Sequence, residues 1–188
     1  MITYSKDELL RFLDDVDAEL EAPADLVVIG GAAAAIAYDV ARATRDIDSW
    51  SALDGALSKA LERARAQSPL DIPVEHAAVA DAPWEFESRL LQLDPERWSK
   101  LRVHVPERHD LVLMKCVRGY EHDLETAASI HQRHGLDLDT LIQRYLEEMS
   151  HIVGDRSRLD LNFRVLVERL FGAAAEARAA RALKSRRT

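Results

Sequence analysis

The sequence predicts an α+β fold, with strands and helices mixed up to Pro106 and only helices after it. Before Pro106, five stretches have the apolar runs or the two-residue alternation of β-strands, namely Leu26–Ile29, Arg42–Ser49, Asp71–Ala77, Trp84–Glu87 and Leu101–Val105. From Glu107 onward, apolar residues recur at the helical spacing of three and four, and no further strand pattern appears. We therefore expect two domains, an α/β domain over residues 1–106 and a helical domain over residues 107–188.

The composition is that of an ordinary globular protein, with 47% hydrophobic and 31% charged residues. No signal peptide is visible and no apolar stretch approaches the roughly 20 residues that span a bilayer, so we expect a cytoplasmic protein without a membrane segment. The single cysteine, Cys116, cannot form an internal disulfide, which agrees with a reducing compartment. The net charge of −8 argues against a surface that coats nucleic acid, but it does not exclude a local basic face.

The first helix is predicted to begin after Ser5, because Ser5 and Glu8 have the spacing of a capping box. Apolar residues then recur at helical spacing, namely Leu9, Phe12, Leu13, Val16 and Leu20. Pro23 marks the exit from this helix. The four consecutive apolar residues Leu26–Ile29 follow, and they indicate a strand that is covered on both faces.

Gly30 and Gly31 connect this strand to an alanine-rich helix. Without a Cβ, glycine lets the backbone turn sharply and lets a ligand approach it closely. The N-terminus of the following helix presents unpaired N–H groups and a positive dipole end, which suit a phosphate. Taken alone, two glycines are more often an ordinary strand-to-helix turn. The sequence contains neither GxxxxGK[ST] nor GxGxxG, so the pair is not one of the familiar nucleotide-binding loops.

Two aspartates lie at alternate positions of the second predicted strand. Strand alternation places Asp46, Asp48 and Thr44 on one face together with Arg42, whereas Arg45 points to the other face. Carboxylates at this spacing have Cα atoms roughly 6.5–7 Å apart, so their side chains can converge on divalent ions. Mg²⁺ prefers a few carboxylates with substrate phosphates and waters. An isolated Asp-x-Asp is commonly two solvated acids, but its place shortly after the glycine pair indicates a metal and nucleotide site.

Gly30-Gly31 followed by Thr44-Arg45-Asp46-Ile47-Asp48 resembles the signature of the DNA polymerase β-type nucleotidyltransferase superfamily. More narrowly, it resembles the AbiEii-like nucleotidyltransferases, the toxins of type IV toxin–antitoxin systems. The resemblance implies a small mixed β-sheet with flanking helices, in which the glycine pair holds a nucleoside triphosphate. It also implies that Asp46 and Asp48 hold Mg²⁺. For the reaction itself we expect two ions, with Thr44 bonding a phosphate oxygen and with Arg42 and Arg45 contacting the triphosphate or the acceptor.

A third carboxylate usually follows Asp-x-Asp on the next strand in this superfamily. Glu75, in the predicted strand Asp71–Ala77, is our candidate for this metal ligand, and Asp71 and Asp81 compete with it. The alternative is a solvated acid at the edge of the sheet. Pro73 in the same stretch indicates an edge strand or a strand start, which agrees with that alternative.

Lys115 is unusual because it follows the apolar run Leu111–Met114, and a buried ammonium group is costly without a partner. It either extends to the surface or points into a polar site. The segment resembles an AbiEii-like pattern of a lysine on one helix, a basic residue, and an aspartate that opens the next helix. The resemblance implies that Lys115 contacts phosphate, that Asp123 is a further essential acid, and that Arg118 binds the nucleotide. Asp123 is equally explained as an acid stabilised by a helix dipole.

The remaining elements are predicted from spacing and caps. Trp84 and Phe86 alternate with acids, which predicts a half-buried strand with aromatic residues in the core. Asp139 is the predicted cap of one helix. The predicted helices are Leu53–Ala66, Leu111–Val117, a helix from about Tyr120 to Gly135, Leu141–Met149 and Leu159–Leu170, followed by an alanine- and arginine-rich end.

These residues together predict transfer of a nucleotide from a nucleoside triphosphate to an acceptor hydroxyl. The resemblance implies tRNA 3′ ends as the acceptor for some relatives, and protein hydroxyls or antibiotics in other branches of the superfamily. Of these we expect RNA, tRNA first, with a cognate antitoxin as the protein partner. A local basic surface for RNA would be formed by Arg102, Arg108, Arg118 and the C-terminal arginines. The segment from Ala173 to Thr188 contains five basic residues and one acid. The alternative function is a non-catalytic or antitoxin-like module that keeps the nucleotide pocket and acts through a protein partner.

Overall fold

A computed structural model describes residues 2–186 and confirms the α+β fold. Over those residues the chain forms two compact units. The first comprises the chain up to Ala80 together with Leu90–Pro106, and the second comprises Asp81–Arg89 and the chain from Glu107 onward. The segment Asp81–Arg89 therefore packs with the helical residues although it precedes Pro106 in the sequence. The assignment of residues 1–106 and 107–188 as separate domains stays a prediction.

The first unit contains a five-stranded mixed sheet. Its strands are β1 (Ala24–Ile29), β2 (Ile47–Ser49), β3 (Val74–His76), β4 (Leu91–Gln92) and β5 (Leu101–Val105). Across the sheet the order is β3-β2-β1-β5-β4, so β1 is central. β1 runs parallel to β5 and antiparallel to β2, and β2 runs parallel to β3. The mixed sheet that the resemblance implied is therefore confirmed.

β1 occupies the centre because its side chains are apolar. Leu26 and Val28 are fully buried, and Ile29 is nearly so. A continuous apolar run of this kind is typical of a strand that is covered on both faces. The strand ends at Ile29, and the next helix begins at Gly30. The glycine pair therefore lies at the carboxyl end of the central strand.

Among the described residues, three helices belong to the first unit, namely α1 (Lys6–Glu19), α2 (Gly30–Tyr38) and α3 (Gly55–Gln67). The capping box is confirmed, because Ser5 accepts a hydrogen bond from the Glu8 backbone and Glu8 accepts one from the Ser5 backbone. The Tyr38 hydroxyl donates to the carbonyl oxygen of Pro106 at 2.6 Å, which fixes the end of α2. α1 packs against α2 and α3 through a fully buried apolar face, comprising Leu9, Phe12, Leu13 and Val16.

The predicted strand Arg42–Ser49 is wrong in length, because only Ile47–Ser49 pairs as a strand. Thr44 forms instead an isolated bridge with Tyr4, with N···O distances of 2.6 and 3.1 Å. The chain then bends before it enters β2. Because Tyr4 precedes α1, the N-terminal segment supplies the backbone partner of Thr44. Strand alternation therefore does not extend to Arg42.

The second unit contains five helices among the described residues. They are α4 (Arg108–Arg118), α5 (Glu121–His134), α6 (Leu138–Glu148), α7 (Arg156–Phe171) and α8 (Ala173–Ser185). Gly119 and Gly135, both with positive φ, end α4 and α5 where the sequence predicted. The predicted cap Asp139 is wrong, because α6 begins earlier and the Asp137 carboxylate accepts from the Thr140 backbone at 2.7 Å. Over residues 2–186, none of the helices has the length and apolar character needed to cross a bilayer.

The strand predicted around Trp84 and Phe86 is also wrong. The backbone there forms turns and a short 3-10 helix, Phe86–Arg89. Phe86 is buried as expected, but Trp84 is 72% exposed. A residue far along the chain, Glu148, fixes this backbone conformation. The Trp84 N–H donates to the carbonyl oxygen of Glu148, and the Glu85 N–H donates to its carboxylate. The short strand β4 was not predicted, since two residues are too few to show alternation.

Candidate active site

The glycine pair lies against two residues of the predicted metal and nucleotide site. Gly30 has a φ of +69°, a left-handed conformation that side chains disfavour. A Cβ on Gly30 would lie 2.7 Å from Oδ2 of Asp48, and a Cβ on Gly31 would lie 2.8 Å from Oγ1 of Thr44. Real Cβ atoms essentially never approach another atom so closely. Glycine is therefore required at both positions for Asp48 and Thr44 to come this close to the turn.

The sheet register brings Asp48 to the glycine turn, and a contact with Thr44 brings Asp46 there. Ile29 lies opposite Asp48 in the antiparallel pair of β1 and β2, so Asp48 faces the last residue before the glycines. Oγ1 of Thr44 lies 3.5 Å from Oδ1 of Asp46. Asp46 and Asp48 are both partly exposed. Thr44, Asp46 and Asp48 thus gather around the start of α2.

The N-terminus of α2 adds backbone donors to this group. The residue at the N-cap position is Ile29, which has no polar side chain and makes no capping hydrogen bond. The first N–H groups of a helix have no intrahelical acceptor, and the helix dipole is positive at this end. These donors lie beside two carboxylates, a hydroxyl and a turn without Cβ atoms. The residues therefore fit a phosphate group together with Mg²⁺, which binds one or two carboxylates with substrate phosphates.

Glu75 lies next to this group in the sheet. It is directly opposite Asp48 in the parallel pair of β2 and β3, and it is exposed on the edge strand. Among residues 2–186, no three His, Cys, Asp or Glu side chains are grouped to hold a metal ion. Its competitor Asp71 accepts a hydrogen bond from Arg65 at 2.7 Å, and Asp81 belongs to the second unit. Glu75 as a metal ligand stays a prediction.

The predicted arginines of the first unit, Arg42, Arg45 and Arg102, have different surroundings. Arg42 is exposed and lines a cavity of about 230 Å³ with Lys6 and Asp39. Arg45 is exposed at the bend before β2. Arg102 forms an ion pair with Asp25 at 2.6 Å. Nucleotide contact by Arg45 stays a prediction.

The three predicted residues of the helical half lie together in the second unit. The Lys115 side chain is only 5% exposed, and its Nζ lies 3.5 Å from Oδ1 of Asp123. Arg118 donates from Nη2 to the same oxygen at 2.7 Å. Asp123 is buried in the first turn of α5, where the left-handed turn at Gly119 brings it back towards α4. Lys115 does not extend to the surface, so it is a buried cation with a carboxylate partner.

Asp123 also has an oxygen that the protein leaves unpaired. Its Oδ2 is buried and has no hydrogen-bond partner among the described residues. A buried carboxylate oxygen without a donor costs free energy, and such atoms are rare in native structures. This cost is explained if a ligand or a catalytic step uses the oxygen. The neighbouring Cys116 is not a candidate nucleophile, because burial, followed by the charge of Asp123, raises the pKa of its thiol.

A buried ion network in the second unit escaped the sequence analysis. Asp110 is fully buried, and Arg89 donates to both of its oxygens at 2.8 and 3.0 Å. Arg144 donates to Asp110 at 2.9 Å, and Arg89 also binds Glu148 at 2.6 Å. These bonds tie the segment Asp81–Arg89 to α4 and α6. The only hint in the sequence is that Asp110 directly precedes the apolar run of α4.

Glu107 extends this network at the start of α4. Its carboxylate accepts from Arg144 at 2.6 Å and from the His109 backbone at 3.1 Å. Burial raises the pKa of Glu107, but the hydrogen bonds and charges of His109 and Arg144 outweigh it and lower the pKa to about 2. Because every carboxylate and guanidinium of this group is engaged in holding elements together, we assign the network a structural role.

The chain matches a known family over most of its length. Residues 7–170 match the family described as "Nucleotidyltransferase of unknown function (DUF6036)". The matched range includes both the glycine turn and the group formed by Lys115, Arg118 and Asp123. No curated protein and no solved structure matches the chain significantly.

Proposed function

The chain belongs to the DUF6036 family of nucleotidyltransferases, and within that activity we propose Mg²⁺-dependent transfer from a nucleoside triphosphate to a hydroxyl of RNA. The observation that carries this proposal is the close approach of Asp48 and Thr44 to Gly30 and Gly31. This approach brings the Asp48 carboxylate beside the N-terminus of a helix, where N–H groups suit phosphate oxygens. A plain strand-to-helix turn does not need this arrangement.

The chain's own residues have distinct tasks in the proposed reaction. The N–H groups at the start of α2 bind phosphate oxygens of the triphosphate, and the Thr44 hydroxyl donates to another. Asp46 and Asp48 would hold Mg²⁺, which when bound supplies charge neutralisation at the phosphates and lowers the pKa of the acceptor hydroxyl. The acceptor oxygen bonds to the α-phosphorus, the bond from that phosphorus to the bridging oxygen breaks, and pyrophosphate leaves with the proton lost to water.

Lys115 contributes a cation to the departing phosphates in this proposal. A buried ammonium group is costly without a partner, and Asp123 supplies a carboxylate partner for Lys115. Asp123 also positions Arg118, which binds the same oxygen. The unpaired Oδ2 of Asp123 supports a role that is more than structural.

The acceptor and the biological role rest on the resemblance to AbiEii-like proteins. We propose tRNA as the first acceptor to test and a toxin–antitoxin pair as the setting, with the antitoxin as the protein partner. The test is incubation of the purified chain with each of the four α-labelled nucleoside triphosphates, Mg²⁺ and total tRNA, with a matched reaction in EDTA. We expect Mg²⁺-dependent label on RNA from at least one nucleotide. Label on the protein alone, or on no acceptor, would overturn the RNA proposal.

The toxin role has its own test in living cells. We expect growth arrest on expression of the wild-type chain and normal growth on expression of Asp48→Asn at the same protein level. Arrest that persists with Asp48→Asn would show that toxicity does not depend on the proposed transfer.

A further inference from the structure

The second unit contains a cavity of about 290 Å³ that shares only Arg118 with the residues of the proposed transfer. It lies between the end of α4, the residue before α5, and the loop that leads into α7. We call it the arginine cavity, because its lining includes Arg118, Arg156 and Arg158, together with Tyr120 and the loop Ile152–Asp155.

The lining of the arginine cavity contains three arginines and one acid, Asp155. Two of the arginines also have carboxylate partners outside the lining, Arg118 in Asp123 and Arg156 in Asp160. Asp155 is already engaged as the N-cap of α7, since its Oδ1 accepts from the backbone N–H groups of Ser157 at 2.9 Å and Arg158 at 3.2 Å. Its negative charge therefore interacts with the N-terminus of α7. The chain as a whole has a net charge of −8, whereas this lining contains more arginines than acids.

Arg156 is held in a fixed position with one donor unused. Its Nη1 donates to the carbonyl oxygen of Met149 at 2.8 Å, its Nε lies 3.2 Å from Asp160, and its guanidinium lies over the ring of Tyr145. Its Nη2 is buried and has no hydrogen-bond partner among the described residues. A buried guanidinium donor without an acceptor costs free energy. A phosphate oxygen is an acceptor that matches arginine in charge and geometry.

An aromatic ring lies beside these cations. Tyr120 is 54% exposed, and its side chain makes no capping bond to α5 although it occupies the cap position. One face of its ring stacks on His122, with ring centroids 5.5 Å apart. A cationic groove with an exposed aromatic ring is the combination that binds single-stranded nucleic acid, because phosphates bind the arginines and a base stacks on the ring.

We propose that the arginine cavity binds the single-stranded end of the acceptor RNA. Phosphates of the strand bind Arg118, Arg156 and Arg158, and one base stacks on Tyr120. Arg118 also binds Asp123, which contacts Lys115, so the strand lies beside that buried pair. The inference rests on the proposed function only in taking RNA as the acceptor.

The experiment measures binding without catalysis. The full chain is titrated into a fluorescently labelled single-stranded oligoribonucleotide of about eight nucleotides, within the usual site sizes, in EDTA and without nucleoside triphosphate. The variants are Tyr120→Ala, Tyr120→Phe, Arg158→Gln and the control Arg133→Gln. Arg133 is an exposed arginine in the last turn of α5, at the opposite end of that helix from Tyr120. Circular dichroism checks that each variant is folded.

We expect Tyr120→Ala to raise Kd at least about fivefold, the loss of one stacked base. Tyr120→Phe keeps the ring and stays within about twofold of wild type, and so does Arg133→Gln. Arg158→Gln raises Kd and reduces the slope of log Kd against log salt by about 0.7, the value for one phosphate contact on a single strand. Blunt duplex RNA of the same sequence competes more weakly, because its bases are not free to stack.

Equal Kd values for Tyr120→Ala, Arg158→Gln and Arg133→Gln would overturn the inference. Full competition by inorganic phosphate with no effect of Tyr120→Ala would also overturn it, since the cavity would then be an anion site only. Failure of the proposed function is distinguishable. If the chain labels no RNA but binds the oligonucleotide through Tyr120, the transfer proposal fails and the binding inference stands. If Tyr120→Ala and Arg158→Gln both label RNA normally, the transfer proposal stands and the binding inference fails.

Discussion

Oδ2 of Asp48 occupies the space that a side chain on Gly30 would need, since a Cβ there would lie 2.7 Å from it. The two residues are linked through the sheet, because Ile29 lies opposite Asp48 in the pairing of β1 and β2. The carboxylate can therefore lie beside the start of α2 only while residue 30 has no side chain. This relationship accounts for the glycine, the aspartate and the strand order together.

Gly30→Ala and Gly31→Ala are expected to abolish or greatly reduce nucleotide transfer. Gly30→Ala also puts a side chain in a left-handed conformation, so we expect it to lower the free energy of unfolding by about 1–3 kcal/mol. Urea unfolding and the transfer assay measure the two effects. The matched control is Gly55→Ala in α3, where a Cβ would meet nothing within 4 Å, and it should keep full activity. Normal transfer by Gly31→Ala would contradict the proposed phosphate contact.

Lys115→Gln is expected to reduce transfer at least about 100-fold, the range seen when one charge-stabilising donor is removed. The thermal unfolding temperature should change far less than the activity, because Arg118 still pairs with Asp123. The control is Lys59→Gln, the same substitution at an exposed lysine of α3. If Lys115→Gln lowers stability strongly but the folded fraction transfers normally, the lysine is structural.

Asp110→Ala is expected to lower the free energy of unfolding by about 3–5 kcal/mol, because it leaves Arg89 and Arg144 partly unpaired in a buried position. Glu121→Ala, in an exposed ion pair with Arg169 in the same unit, is the comparison and should cost at most about 1 kcal/mol. Urea titrations of both variants give the difference. Similar costs for the two would mean that the buried network contributes no more than a surface pair.

The stability of the protein should fall in acid through Glu107. Its pKa is about 2 in the folded chain against an ordinary value of 4.5, so the folded state favours the ionised form. This stabilisation is fully present above pH 4.5 and is lost as the pH falls towards 2. Glu107→Gln should therefore be less stable at pH 7 and should lose less stability between these pH values. Parallel acid profiles of variant and wild type would contradict the assignment.

The parts of the site that sequence predicted are those whose residues are close in the chain or carry a local physical signal. The glycine pair follows an apolar run, the two aspartates alternate, and Lys115 is a charge beside an apolar run. Asp123 contacts Lys115 only eight positions away. The two capping glycines, Gly119 and Gly135, likewise marked their helix ends correctly.

The parts that sequence missed depend on distant partners. Arg89 and Glu148 are 59 positions apart, and nothing local shows that they meet. Alternation extended the second strand to Arg42 because it cannot reveal that Tyr4 is the partner of Thr44. Alternation predicts Trp84 in the core for the same reason, because it cannot reveal that the Trp84 backbone pairs with Glu148. Tertiary hydrogen bonds overrode the local pattern in each case.

The central claim is that Asp48 beside the glycine pair holds the metal for transfer, and Asp48→Asn tests it most directly. The measurement is the rate of label transfer from the preferred nucleoside triphosphate, with Asp25→Asn as the matched control on β1, where Asp25 is about half exposed and paired with Arg102. We predict that Asp48→Asn transfers at least about 100-fold more slowly than wild type while it unfolds at a similar temperature. We predict that Asp25→Asn keeps its activity. Transfer by Asp48→Asn within about twofold of Asp25→Asn, a difference of under about 0.5 kcal/mol in barrier, would contradict the account.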